Sequence, residues 1–283
     1  MLTVDRVWFG YDERQPVLKG VSLSVPPDAI VGILGPNGSG KTTLLRLLAG
    51  TRIPQRGSVT LGGDVLTHAP RAALARRLAV VPQETQLAFD YSAAEVAMMG
   101  RYAHLAAFEI EGPRDVAIVE EALAATGTLA LKDRSFSTLS GGEKQRVVIA
   151  AALAQIAGFR LKAEAAESRG EGPAESRYLL LDEPTASLDL AYQLEIASLL
   201  KELHAGHRAG IVISTHDLSL AGTLCDTLVL LRDGEVVAYG ATDDVLTPDN
   251  LKRVYDVEAE IDRHPSGQCI VVPIRRTGDR AGR

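Results

Sequence analysis

The chain is poor in cysteine, holds a single tryptophan, carries no excess of positive charge and contains no long hydrophobic run. Each shortage excludes something. Two cysteines in 283 residues, Cys225 and Cys269, cannot build a disulfide framework and have no metal-ligand spacing, so a reduced, cytoplasmic setting is expected. Thirty Lys and Arg against thirty-six Asp and Glu give a formal net charge of −6, which argues against a general nucleic-acid surface. No run reaches the ~20 apolar residues that would cross a bilayer. The longest candidate, residues 147–159, is rich in alanine and interrupted by Gln155, which fits a buried helix. The first residues form a strand-like pattern rather than a basic segment followed by an apolar one, so no secretory signal is expected. A soluble protein follows, with any membrane role coming through a partner.

What the chain does have is a 46% hydrophobic content, enough for a substantial core in one large or two small domains. Short β-branched runs at 2–4, 21–25 and 30–34 predict strands, and 41–49 predicts a helix ending at Gly50. Strands are also expected at 58–61 and 78–81. Residues 86–155 then turn alanine- and leucine-rich with helical spacing at 93–101, 115–126 and 142–155. The α/β rhythm resumes with a strand at 178–181, a helix at 190–204, a strand at 211–214, a helical stretch at 219–225 and a hairpin of 227–231 with 235–239. The charged 157–177 segment reads as a surface loop or frayed helix. After 247 a short helix and a strand at 269–274 are expected. The organisation is one domain: a catalytic core of 1–85 and 156–245, an inserted helical subdomain at 86–155, and a C-terminal extension from 246 to 283.

Two stretches carry recognisable chemistry. Gly35-Pro36-Asn37-Gly38-Ser39-Gly40-Lys41-Thr42 follows a buried strand and opens a helix, the context that makes a P-loop credible. Gly38 and Gly40 let the backbone approach phosphates, whose charge faces the amides of the helix start. Lys41 can reach the β- and γ-phosphates, and the Thr42 hydroxyl can sit on Mg²⁺. Gly35, Asn37, Ser39 and Thr43 complete the cradle. Further on, Leu179-Leu180-Leu181 sets Asp182 and Glu183 at the carboxyl end of a strand, where ligands bind in parallel sheets. Asp182 would hold Mg²⁺ through water, and Glu183 would orient and polarise an attacking water. By themselves these two carboxylates would equally suit helix capping. Tyr11, in Phe9-Gly10-Tyr11-Asp12, offers a ring on which adenine could stack, with Trp8 and Phe9 as core competitors.

Between the P-loop and the carboxylates lies Leu139-Ser140-Gly141-Gly142-Glu143. Phosphate cradle, Ser-Gly-Gly and Asp-Glu, in that order, resemble the ATP-binding cassette (ABC) ATPases, and the resemblance covers nearly the whole chain. It departs at Glu143, where many relatives carry Gln. The resemblance implies an α/β P-loop NTPase core with an N-terminal antiparallel β region and an inserted α-helical subdomain. It implies ATP and Mg²⁺ as cofactors, with Lys41, Glu183 and His216 in the catalytic roles. His216, in Ser214-Thr215-His216-Asp217, corresponds to a switch histidine contacting the γ-phosphate. Gln83 corresponds to a residue that contacts Mg²⁺ or water, and Ser187-Leu188-Asp189 to a loop crossing a dimer interface. Ser140 and Gly142 of one chain would close over ATP held by a second, so the working form is a homodimer.

Lacking coiled-coil insertions and a second cassette, the chain fits a transporter motor at the cytoplasmic face of the membrane. It would be bound there to permease subunits and served indirectly by a substrate-binding protein. A non-transport ABC ATPase, such as an iron–sulfur assembly ATPase, is the alternative. The segment Glu95–His104 and the stretch Ser266–Pro273 resemble importers of siderophore-bound iron, haem and vitamin B12. Met98, Met99 and Tyr102 suit either a groove for a permease helix or plain packing of the subdomain.

Overall fold

The structure is a computed structural model and describes residues 1–12, 14–156, 176–186, 188–207 and 209–277. Most of the charged 157–177 segment, and Ser187, lie outside the described residues. The chain divides into two units, Met1–Thr67 with Val212–Arg283, and His68–Ile211. The first unit begins with β1 (Leu2–Phe9), β2 (Leu18–Val25), β3 (Ile30–Leu34), α1 (Lys41–Leu48), β4 (Arg56–Leu61) and β5 (Asp64–Val65). The second holds α2 (Arg71–Ala75), β6 (Leu78–Val81), α3 (Ala93–Met98), α4 (Pro113–Ala125), α5 (Gly141–Gln155), β7 (Tyr178–Asp182) and α6 (Leu190–His207). Strand β8 (Gly210–Ser214) returns the chain to the first unit. That unit closes with α7 (Leu218–Leu224), β9 (Thr227–Arg232), β10 (Glu235–Ala241), α8 (Thr242–Val245), α9 (Pro248–Tyr255), β11 (Val257–Arg263) and β12 (Cys269–Arg276).

In the first unit, β2, β1, β4 and β5 form an antiparallel sheet in that order. Leu2 lies opposite both Val25 and Leu61, and alternate residues such as Leu2, Val4, Leu23 and Val59 are buried, the pattern of a sheet with one covered face. The alternation slips between Val4 and Val7, where Arg6 takes a φ of 44° and the register shifts. β3 behaves differently. All five of its residues are buried, as expected of a strand covered on both faces, and it runs parallel to β9 from Val31–Thr227 to Leu34–Leu230. β9 turns into β10 through Asp233 and Gly234, both at positive φ, which matches the twist of a tight hairpin.

The expected terminal strand is present as β12, and its partner β11 went unforeseen. In β11 (Val-Glu-Ala-Glu-Ile-Asp-Arg), acids alternate with Ala259 and Ile261. Only Ala259 is buried, so the apolar signal of a strand is weak there.

In the second unit β6 and β7 pair in parallel, Leu78 with Tyr178 through Val81 with Leu181. Helices α3, α4 and α5 pack on one another. Two of them start at reciprocal serine caps. Ser92 Oγ accepts from Glu95 N at 3.2 Å while Glu95 Oε2 accepts from Ser92 N at 2.7 Å, and Ser140 with Glu143 repeats the arrangement at 3.3 and 2.8 Å. Each such cap contributes about 1 kcal/mol. The helix expected at 93–101 stops at Met98 and tightens into a 3₁₀ turn, Met99–Ala103. The turn buries Arg101, whose Nε meets Asp115 Oδ1 of α4 at 2.9 Å and whose Nη1 donates to Ala154 O of α5 at 2.8 Å. One guanidinium thereby ties three helical segments together. Among the described residues no helix is long and apolar enough to cross a membrane.

Candidate functional site

In the first unit the chain leaves buried β3, loops through Gly35–Gly40 and enters α1. Gly40 occupies the position before the helix, so no side chain caps α1, and no acidic residue lies in its first turn. Its leading amides and the positive end of the helix dipole therefore favour an anion from outside the helix. Gly38 has a φ of +79°, and a Cβ there would project into open space. A side chain would thus be strained in backbone and would fill the cradle. The Ser39 hydroxyl is buried without a hydrogen-bond partner, a cost that a phosphate oxygen would relieve. Lys41 is buried, and its Nζ donates to the Gly35 carbonyl at 2.9 Å and to that of Pro36 at 3.3 Å. These features fit the tri- or diphosphate of a nucleotide. Thr42 is half-buried and Asn37 is exposed at the loop's tip.

Tyr11 belongs to the same unit and is 57% exposed. Its hydroxyl accepts from Arg46 Nη1 at 3.0 Å and lies 3.4 Å from Thr43 Oγ1 of α1. Phe9 meets the ring edge-on at 5.2 Å, and the Arg52 guanidinium stands 5.9 Å from the ring centre. Burial works to raise the phenol's pKa. The bonds from Thr43 and Arg46, with the charges of Arg46 and Arg52, outweigh it and hold the group below its ordinary value. His216 is exposed just beyond β8, where Thr215 N donates to Ile33 O of β3 at 3.1 Å. Asp217 caps α7 by accepting from Leu220 N at 2.9 Å, which fixes the turn carrying the histidine.

In the second unit Asp182 ends β7 and Glu183 follows with a φ of 46°. A glutamate in the left-handed region costs on the order of 1–3 kcal/mol, and such strain concentrates at functional positions. Ala186 N donates to Glu183 O at 3.0 Å and closes the turn. Gln83 is exposed two residues past β6. Because Val81 pairs with Leu181 in parallel register, Gln83 and Glu183 lie at matching ends of neighbouring strands.

Ser140 is half-buried and caps α5; its backbone and side-chain bonds hold the Glu143 carboxyl below the usual range. Asp189 is exposed, its Oδ1 accepting from Tyr192 N at 3.1 Å at the start of α6. Among the described residues no group of three or more His, Cys, Asp or Glu could hold a metal by itself. Mg²⁺ commonly takes one or two protein ligands and completes its shell with phosphate oxygens and water, and a threonine hydroxyl or an aspartate carboxylate is a donor of the kind it accepts.

The structure also brings forward residues that the motifs did not indicate. Arg46 and Arg52 hold the Tyr11 ring. Tyr255, at the end of α9, lies against the Gly35 backbone: burial pushes its phenol's pKa up, and the Gly35 contact pulls the other way. Tyr192 meets Gly142. A helix-ending or helix-starting tyrosine carries no signal of such a contact in sequence.

Residues 18–164 match the family model described as ABC transporter. The hemin import ATP-binding protein HmuV of Bordetella pertussis is 40% identical over 259 residues, covering 91% of this chain and 94% of that protein. An inward-facing ABC transporter of the metal-chelate type shares the fold at a TM-score of 0.79 with 26% identity, covering 98% of each chain. The ATP-binding cassette MJ0796, solved as a dimer in a post-hydrolysis state with ADP and Pi, matches at a TM-score of 0.67 and 26% identity, covering 86% of this chain and 99% of that one. With the phosphate cradle, the strand-end carboxylates and the Ser-Gly-Gly helix start in one chain, these likenesses place the protein in the ABC transporter family, as an ATPase of its α/β cassette fold.

Proposed function

We propose that the chain is the ATP-hydrolysing subunit of a membrane importer for a metal chelate, with haem as the favoured cargo and siderophore-bound iron or cobalamin as the runners-up. The end-to-end similarity to a hemin-import ATPase carries this reading. Residues 1–85 and 156–245 would form the catalytic core, 86–155 the helical subdomain and 246–283 a C-terminal extension. Two copies would work as a pair, bound through permease subunits at the cytoplasmic face of the membrane, with a substrate-binding protein delivering cargo from the other side.

The chemistry follows from the residues. Lys41, the α1 amides and the Ser39 hydroxyl neutralise and position the phosphates, which is most of what phosphoryl transfer to water requires. Thr42, Asp182 and Gln83 would hold Mg²⁺, which supplies further neutralisation of the β- and γ-phosphates. Glu183 orients the water and takes up its proton as the new P–O bond forms and ADP departs. His216 holds the γ-phosphate, and Ser140 and Gly142 of the second chain close the site. Dimer closure on ATP and opening after hydrolysis couple the reaction to the permease.

Tyr11→Ala is expected to weaken nucleotide binding about fivefold, the order of 1 kcal/mol for one aromatic stack, with hydrolysis at saturating ATP changed little. Titration with a fluorescent ATP analogue checks it, and an unchanged Kd would remove Tyr11 from the site. The cargo is tested by producing the chain with its permease and binding protein and following ATP-dependent uptake into vesicles. Haem should accumulate; uptake of cobalamin or a ferric siderophore in its place would reassign the cargo. If the chain recovers with no membrane protein at all, the transport reading fails.

A further inference from the structure

By its resemblance, Gly142 is expected to close, with Ser140, over ATP held by a second chain. In the structure its missing Cβ faces another residue of the same chain. A Cβ built on Gly142 would stand 2.3 Å from Cδ1, 2.5 Å from Cγ and 2.8 Å from Cε1 of Tyr192, a collision that only displacement of a ring could relieve. Gly142 is in the first turn of α5 and Tyr192 in the first turn of α6, fifty residues later, so two helix starts meet at this point. Three further contacts surround it. Ser140 Oγ donates towards Tyr192 Oη at 3.5 Å, and Leu188 Cδ2 would lie 3.3 Å from a Cβ on Gly141. One turn along both helices, Arg146 Nη1 and Glu195 Oε2 form an ion pair at 2.8 Å. The residues flanking Tyr192 are anchored as well. Its own amide is held by Asp189 Oδ1, and Gln193 Nε2 donates to the carbonyls of Thr185 at 3.4 Å and Leu188 at 3.2 Å.

We infer that Tyr192 is a positioning residue of the shared ATP site: its ring, seated where Gly142 has no side chain, locks the Ser140-Gly141-Gly142 turn to Leu188 and Asp189. The inference rests on the paired reading of the site given above. Both the Ser-Gly-Gly turn and Asp189 are assigned there to the dimer contact, and Tyr192 is the residue whose ring meets one and whose backbone amide is held by the other. The two elements then move as one body when a second chain's ATP arrives. The ring carries this role and the hydroxyl contributes little, because 3.5 Å is the outer limit of a hydrogen bond whereas the ring contact is a full van der Waals seat.

An exchange of side-chain size tests it. Gly142→Ala pushes the ring out and is expected to lower ATP-dependent dimerisation and hydrolysis about tenfold or more, the scale of a contact coupling. Tyr192→Ala should lower them about fivefold. The double variant G142A/Y192A, which gives the new methyl the vacated space, should fall no lower than Tyr192→Ala, about twofold above G142A and about tenfold above the product of the singles, a coupling that only direct contact produces. Tyr192→Phe, which keeps the ring, should lose less than about threefold. Nucleotide affinity of the dilute single chain reads the P-loop alone and should stay within about twofold in all four. A double variant no better than the product of the singles overturns the inference, and so does loss of single-chain affinity in step with activity, which would mark plain misfolding. Failure of the unsubstituted chain to dimerise on ATP would sink the paired reading itself, which separates the two outcomes.

Discussion

Glu183→Gln is expected to lower ATP hydrolysis about a thousandfold, close to 4 kcal/mol in the barrier, while leaving ATP binding intact. The substitution keeps the shape and the hydrogen-bonding reach of the side chain and removes only its ability to take a proton from water. The phosphate cradle is built from other residues, Ser39, Lys41 and the α1 amides, so nothing that holds ATP is lost. The backbone at Glu183 already sits in the left-handed region, with its carbonyl tied by Ala186 N, and glutamine inherits that geometry. Closed pairs should therefore accumulate with uncleaved ATP between them. Phosphate release measures the first effect, and light scattering after size exclusion, with and without ATP, measures the second. Residual hydrolysis above about a tenth of the original rate would remove Glu183 from the role of base. A chain that stays single in saturating ATP would count against the paired mechanism.

Asp115→Ala should cost about 3 kcal/mol or more of stability, the largest structural effect expected of one substitution here. Arg101 is 5% exposed and its Nε pairs with Asp115 at 2.9 Å. Removal of the carboxylate leaves a buried guanidinium holding only the Ala154 carbonyl. For a chain of this length the loss corresponds to a fall of roughly 5 °C or more in Tm by scanning calorimetry. Replacing both partners by apolar residues, R101M/D115A, should cost less than D115A, because no unpaired charge stays behind. If D115A melts within a degree or two of the parent, the pair is not holding α4 and α5.

The pair also fixes a direction with pH. The bond from Arg101, then the Gly112 amide, hold the Asp115 carboxyl below its ordinary value of 3.8 against the opposing effect of burial. A depressed folded pKa means that the stabilisation is fully present above that ordinary value and is lost as the pH falls through the lower folded one. The parent should therefore lose an acid-labile share of stability below about pH 4 that D115A no longer has to lose.

Much of this was legible in the chain because the chemistry is local. A P-loop is eight consecutive residues whose own backbone makes the turn, so the loop from β3 into α1 around Gly38, Lys41 and Thr42 could be expected from their spacing and from the apolar strand before them. The same holds for Asp182 and Glu183 behind Leu179–Leu181, and for Ser140 with Glu143, a cap contained within four residues. Amphipathic spacing located α4 and α5 to within two residues of their observed starts. Weak patterns failed for a physical reason. In β11 the strand buries only Ala259, and its cross-strand partners in β12 do the rest, so no run of apolar residues marks it. α2 is a five-residue helix with one buried side chain, Leu74, too short for periodicity to register.

The sequence by itself therefore determined the cassette, its nucleotide, and the local turns and caps that depend on neighbours within a few positions. Tertiary structure alone decided the long-range assignments. It showed that Arg101 spends its charge on Asp115, that Arg46 and Arg52 hold Tyr11, and that Tyr255 rests on the Gly35 backbone. It also set a tyrosine ring against the place where Gly142 has no side chain. Packing between helix starts distant in the chain leaves no periodic trace, so only the fold shows which residue fifty positions away meets that glycine.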